Sequence, residues 1–441
     1  MRFLLALVAC APSPGPRPAP REAAADSPPA PTPIDAGAPA TARPAIDPDG
    51  DDDPAPTGDG TLPAAAHFER VGRPPLALRR ICDLTAFGDS LYAAHAVQPL
   101  GQDGATITRW DGTFHLAFDW NRAGEPRRGG GAGQGFLRVH SIGGRLWVPD
   151  ADPPYAGFRV ADRGTEGFVF VSDREGRFAP SRAPHHRPPD VPTADRAGAG
   201  VLPRAYHVID VVRFRGRFYA STGSVPPTER AWRGASPGAL HVASPDLSRW
   251  TYEVDYPRPW QYGVWRLGFL VRFRDRLYAG IQDYDGREPN DFVVFDPPAD
   301  STAIAQADAH PVRVTPGGGA LTVRWWADAG RLWWIAWERG NGIRLRVTDD
   351  GESWRAIELP AGAGWPSDVT RFREGIVVLT EHGLFRLDDD RATLVAPVPD
   401  GRSPFVLDDP FCAAPLAVFR GDLFAGGQRD GSLYRLVGDS S

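Results

Sequence analysis

The chain contains no lysine, so all 49 of its basic residues are arginine. That excludes a P-loop lysine, a Schiff-base lysine and a Ser–Lys dyad. Methionine occurs once, as residue 1, and cysteine three times, at Cys10, Cys82 and Cys412. An excess of positive charge is also missing. The net charge is −6, which argues against a duplex nucleic-acid binder.

What is present is ordinary globular material over 441 residues, with 42% hydrophobic residues, enough to bury a large core. The 49 glycines and 46 prolines favour turns and β-structure over long helices. Such a length allows several domains, or one repeat architecture.

The first ten residues have a positive start at Arg2 and an apolar run from Phe3 to Ala9. That is the pattern of an export signal. Leu7-Val8-Ala9-Cys10 resembles the bacterial lipobox, which implies lipidation of Cys10 and a membrane anchor. Ala11 rather than Asp after the cysteine implies sorting to the outer membrane, so the expected location is the bacterial cell envelope. Residues 11–66 change character abruptly. Fifteen of these 56 residues are proline, and large apolar side chains are almost absent. Such a segment reads as an extended, disordered tether. Its nine acidic and three basic residues give it a charge of −6; Arg2 adds +1, leaving −1 for residues 67–441. Asp49 and Asp51–Asp53 read as solvated spacer rather than a calcium loop.

One pattern recurs through residues 67–441: an aliphatic run, a tight polar turn, then Leu/Phe-aromatic-small-small. The copies are Leu84–Ala94, Val139–Pro149, Val211–Ser221, Leu270–Gly280, Trp325–Ile335, Val369–Leu379 and Leu416–Gly426. Each reads as two strands joined by a hairpin turn, followed by a second pair. Seven copies at about 54 residues each predict an all-β, seven-bladed propeller of four-stranded antiparallel blades. The last repeat has room for three strands, so His67–Val71 is expected to supply the fourth. Cys82 and Cys412 precede the first strands of the first and last repeats. They are candidates for a disulfide across the ring's seam, or else two buried free thiols.

Val347-Thr348-Asp349-Asp350-Gly351-Glu352-Ser353-Trp354 resembles the Asp-box of sialidase-like propellers, with Asp349, Gly351, Ser353 and Trp354 in register and Val347 replacing the leading Ser/Thr. That resemblance implies a turn between outer strands, away from any active site. The repeated Leu-Tyr-Ala-Gly-type strand also looks similar to kelch-related propellers. The Arg-Ile-Pro start of sialidases is missing, which argues against that activity.

The long insertions Asn121–Gln134, Pro149–Glu166, Ala179–Ala205, Thr222–Pro237 and Gln282–Asp291 all fall on one face of such a propeller, where binding residues usually sit. Four places before each repeat's turn-side residue stand Asp83, Arg138, Asp210, Phe269, Arg324, Asp368 and Pro415. Equivalent inner-strand positions surround the channel. Their charges form either ion pairs that close it or a polar pocket for a charged or hydroxylated ligand. His207 and Arg266 share a position nearer the rim. Aromatics cluster in the middle repeats. Trp232, Trp260 and Tyr284 are the surface candidates for sugar or protein contact, and Trp333, Trp334 and Trp354 are expected in the core. Asp283, Asp285, Glu288, Asn290 and Asp291 form an oxygen-rich cluster compatible with calcium but without full calcium-loop spacing. No other cofactor is expected, and His185-His186 has no zinc partner nearby in sequence.

The sequence thus reads as a monomeric, lipid-anchored envelope protein whose propeller binds a glycan or a protein through its long-loop face. The alternative is a propeller-fold glycoside hydrolase or lyase with Asp210 and Asp368 as funnel carboxylates. A packed Asp–Arg ring would count against that alternative.

Overall fold

β1 (Ala66–Gly72) opens the folded part, and its partner comes from the far end of the chain. The structure is a computed structural model that describes residues 58–438, except 97–104, 120–134, 151–165, 179–198, 224–237, 257–263, 284–287 and short gaps elsewhere. β2 (Asp83–Phe87), β3 (Ser90–His95), β4 (Thr106–Trp110) and β5 (Phe114–Asp119) form an antiparallel sheet in that order. β6 (His140–Ser141), β7 (Leu146–Pro149), β8 (Glu166–Val171) and β9 (Ala199–Pro203) form the next.

β10 (His207–Phe214), β11 (Arg217–Gly223), β12 (Ala239–Ala243), β13 (Trp250–Asp255), β14 (Val264–Phe273), β15 (Arg276–Asp283), β16 (Phe292–Phe295) and β17 (Ala309–Val312) share one eight-stranded sheet. Two further four-stranded sheets follow. One holds β18 (Leu321–Ala327), β19 (Leu332–Glu338), β20 (Gly342–Thr348) and β21 (Arg355–Ile357). The other holds β22 (Pro366–Phe372), β23 (Gly375–Thr380), β24 (Gly383–Asp388) and β25 (Arg391–Pro397). The last strands are β26 (Leu416–Phe419), β27 (Asp422–Gly426) and β28 (Leu433–Gly438). β1 completes their sheet, with Ala66 opposite Gly438 and Phe68 opposite Leu436.

This is an all-β propeller, but the seven-bladed ring expected from the motif count is corrected. Five four-stranded sheets stand as discrete blades, while β10–β17 run as a single sheet. The join is one bridge between β11 and β14, Gly223 opposite Arg266. β14 has ten residues where β2 has five, so it begins early enough to run beside the end of β11. Counting hairpin motifs does not detect a bridge between hairpins.

Each motif copy does form a hairpin of the two innermost strands, such as β2–β3 and β26–β27. The turns follow from backbone preference. Arg215 and Gly216 both have positive φ (50° and 75°), the tight hairpin turn that suits the twist of its strands. Arg274-Asp275 adopts the same left-handed pair without a glycine. Second strands are covered on both sides and read as unbroken apolar or small runs; every residue of β3 and β7 is buried. Outer strands expose more, as in β5 and β25. Trp333 and Trp334 are buried, and Trp354 is half-buried against the same core.

Cys82 and Cys412 are disulfide-bonded, joining segments 330 residues apart. Beside them the Gln428 side chain donates to the Ile81 carbonyl, and the Ile81 amide donates to Gly427. Cys10 and the acidic run around Asp49–Asp53 lie outside the described residues.

Candidate functional site

The innermost strands β2, β6, β10, β18, β22 and β26 are edge strands of their ladders, and β14 meets β11 at one bridge only, so part of the backbone of all seven has no neighbouring strand to bond. The aligned aspartates answer this need. Asp83 accepts the amide N–H of Val139 at 3.0 Å. Asp210 accepts that of Leu270 at 2.9 Å. Asp368 accepts that of Leu416 at 2.7 Å. In each case the donor is the residue after the equivalent position on the next inner segment. Asp210 and Asp368 also accept the following amide of their own strands, Val211 and Val369.

The arginines complete the arrangement. Arg324 donates from Nη2 to Asp83 and to Asp368, each at 3.0 Å, and its Nε lies 3.0 Å from the other Asp368 oxygen. Arg138 lies 3.8 Å from Asp83, and its guanidinium sits 3.8 Å over the Phe269 ring. All five charged residues are buried. The structure therefore brings Asp83, Arg138, Arg324 and Asp368 into one network, and places Asp210 in a separate pair with His140, at 2.6 Å. His140 was missed in the sequence. Strand alternation was the available signal, since it lies two residues after Arg138.

Burial alone would lower the pKa of Arg324, but the Asp368 and Asp83 carboxylates outweigh it and raise the pKa above the ordinary value. Burial pushes Asp368 upward, against the pull of Arg324 and two amides. An apolar layer adjoins the network. Cys82, Leu137, Ile209, Phe269 and Cys412 are buried in one cluster, with Phe411 packed against it.

His207 and Arg266 do meet, His207 Nε2 lying 2.8 Å from Arg266 Nη2, and Arg266 lies 5.8 Å from the Phe411 ring. Trp232, Trp260, Tyr284 and Asp285 lie outside the described residues, as do His185-His186 and most of the long insertions. The rest of the calcium candidates are engaged by the protein itself. Asp291 accepts amides from Val314, Thr315 and Ala320 and the Thr315 hydroxyl. Asp283 accepts the Glu288 amide and lies 3.5 Å from Arg339, while Glu288 accepts both nitrogens of Asn290. Among the described residues no group of three His, Cys, Asp or Glu has metal-holding geometry.

The Asp-box-like turn joins β20 to β21. Its organising carboxylate is Asp350, which accepts the amides of Glu352 and Ser353, and these bonds lower its pKa. Asp349 instead turns out to Arg331 at 3.1 Å. A cavity of about 400 Å³ lies at the opposite end from the long loops, lined by Arg217, Phe218, Val242, Ser244, Arg249 and Thr251.

The incoming chain crosses that same short-loop face. Arg373, in the β22–β23 turn, donates to the Thr61 carbonyl at 2.8 Å. Leu62 is buried beside Phe372 in one core cluster, and a Cβ on Gly375 would collide with its side chain. A Cβ on Gly58 would stand 3.3 Å from the Gly421 carbonyl, in the β26–β27 turn.

No protein-family model matches the chain, and no curated protein matches it. Solved structures do resemble it in fold. A streptogramin B lyase superimposes with a TM-score of 0.50 at 10% identity, over 86% of this chain and 99% of that one. Virginiamycin B lyase from Staphylococcus aureus gives 0.48 at 9% identity, over 84% and 99%. The Pan2 WD40 domain of Neurospora crassa gives 0.47 at 9%, over 86% and 98%. At such identities the likeness is one of architecture, that of a β-propeller.

Proposed function

We propose that this chain is a cell-envelope lipoprotein, anchored to the outer membrane through Cys10, whose propeller binds a glycan through its long-loop face, with a protein ligand as the second reading. The observation that carries binding over catalysis is the state of the carboxylates. Asp368 is held by Arg324 and two amides, and Asp210 by His140 and two amides. A glycosidase needs one carboxyl free to give a proton and a second free to act as base or nucleophile. These two serve the backbone instead, which counts against the hydrolase reading.

The path of the chain supports the choice of face. Residues 58–62 lie against the short-loop turns. A segment that enters on the short-loop face leaves the long-loop face to a partner.

The test is an oligosaccharide-array screen of the full-length protein, with and without calcium. Specific binding of one glycan class, without turnover of the bound sugar, is expected. Turnover that disappears in Asp210→Asn or Asp368→Asn would overturn the binding reading in favour of hydrolysis.

A further inference from the structure

We propose that Trp337 and Trp365 form a stacking platform for a pyranose ring on the long-loop face, which rests on the glycan-binding reading above. β19 runs from the short Asp328–Arg331 turn towards the long-loop side and presents Trp337 near its end. Trp333, Ile335 and Trp337 alternate onto one face of that strand. The first two are buried in a single apolar cluster with Ile343, Leu345 and Val347, while Trp337 is 36% exposed. Trp365 packs half-buried against the same cluster. Its indole nitrogen would lie 3.2 Å from a Cβ on Gly342, whose φ is +73°. Gly342 pairs with Glu338, and its neighbour Ile343 pairs with Trp337. Both indoles thus lie at the β19–β20 end of one apolar seam, Trp337 opposite Ile343 and Trp365 beside Gly342.

An aliphatic residue would end that seam equally well. Of the exposed large hydrophobics among the described residues, Leu116 and Leu394 lie on the outer strands β5 and β25, and Trp337 is the one at the long-loop end. Its surroundings are mixed in sign. Asn341, Arg344 and His382 are exposed nearby in the ladder and adjoining turn, and half-buried Glu381 accepts the Trp365 amide at 3.1 Å. A charged ligand would meet both signs there. A neutral hydroxylated ring can lay its apolar C–H face on an indole and use donors and acceptors at its edge. The platform is also braced. Buried Glu338 accepts a 2.6 Å bond from Arg346 and one from Asn341, holding the β19–β20 turn.

The experiment measures affinity of the full-length protein for the saccharide it selects from the oligosaccharide array, for wild type, Trp337→Ala, Trp337→Phe and Asn341→Ala. Thermal melts serve as the folding control. Trp337→Ala is expected to weaken binding at least about tenfold and Trp337→Phe by only about threefold, because the phenyl face still stacks. Asn341→Ala gives up only a long 3.4 Å bond to Glu338, while Arg346 keeps its 2.6 Å bond, so it is expected to weaken binding with little change in the melt, which keeps the test open if Trp337→Ala does not fold. Wild-type affinity in both Trp337→Ala and Asn341→Ala would overturn the platform while leaving glycan binding intact. Failure of the wild-type protein to select any saccharide would overturn both.

Discussion

Arginine does two different jobs in this molecule, one at the channel axis and one around the short-loop rim. At the axis, Arg324 is buried between Asp83 and Asp368, and each aspartate also accepts a backbone amide from another inner segment. At the rim, Arg215, Arg274, Arg373 and Arg420 all take a left-handed backbone in hairpin turns. Each lies over the phenylalanine before it, at 5.3, 5.7, 4.9 and 4.9 Å. Three of them reach a neighbouring segment: Arg215 to Asp275, Arg373 to Thr61 and Arg420 to the Asp89 carbonyl. Arg274 and Arg420 are exposed and each is worth little alone, whereas Arg215 is largely covered and also donates to the carbonyls of Pro297, Pro298 and Ser301. The axial ones are desolvated, so removing one partner strands the others.

The contrast is sharpest for single truncations. Arg324→Ala leaves Asp368 buried without its cation and Asp83 with Arg138 alone, 3.8 Å away, and should cost about 3–5 kcal/mol, read by chemical denaturation. Cys82→Ser/Cys412→Ser releases a cross-link over 330 residues beside the same network. It should cost roughly 2–5 kcal/mol, seen as a lower melting temperature that reducing agent reproduces in the wild type.

A pH series tests the buried side further. Burial pushes His95 down to about 4 from an ordinary 6.5, against the bond to the Arg80 carbonyl. The unfolded chain therefore takes up a proton that the folded state refuses. The stability His95 contributes is full above pH 6.5 and falls as pH drops towards 4, by about 3 kcal/mol in total. His95→Gln should flatten that part of the stability-against-pH curve. The smallest effect belongs to the rim. Arg420→Ala should cost less than about 1 kcal/mol, because Arg420 is exposed and gives up one bond to the Asp89 carbonyl and its stacking on Phe419.

Local periodicity made much of this legible. The inner hairpins follow from seven repeated motifs, and the axial ring from one aligned column that includes Asp83, Arg324 and Asp368. The β1–β28 pairing followed from the shortage of strands in the last repeat. The bridge at Gly223 and Arg266 was not legible, because it depends on how far β14 extends and not on which residues it holds. Asp350 rather than Asp349 organises the β20–β21 turn because the amides of Glu352 and Ser353 point to it, a matter of backbone path. Trp337 stood among several tryptophans in the sequence, and only packing separates it from buried Trp333 two residues earlier.

The measurement that bears most directly on the structural role of the axial network is the unfolding free energy of two variants. Arg324→Met alone breaks the network; Arg324→Met with Arg138→Met, Asp83→Asn and Asp368→Asn removes its charges together while keeping acceptors for Val139 and Leu416. The quadruple variant should recover most of what the single variant loses. A quadruple variant no more stable than Arg324→Met, or a single variant as stable as wild type, would contradict the account.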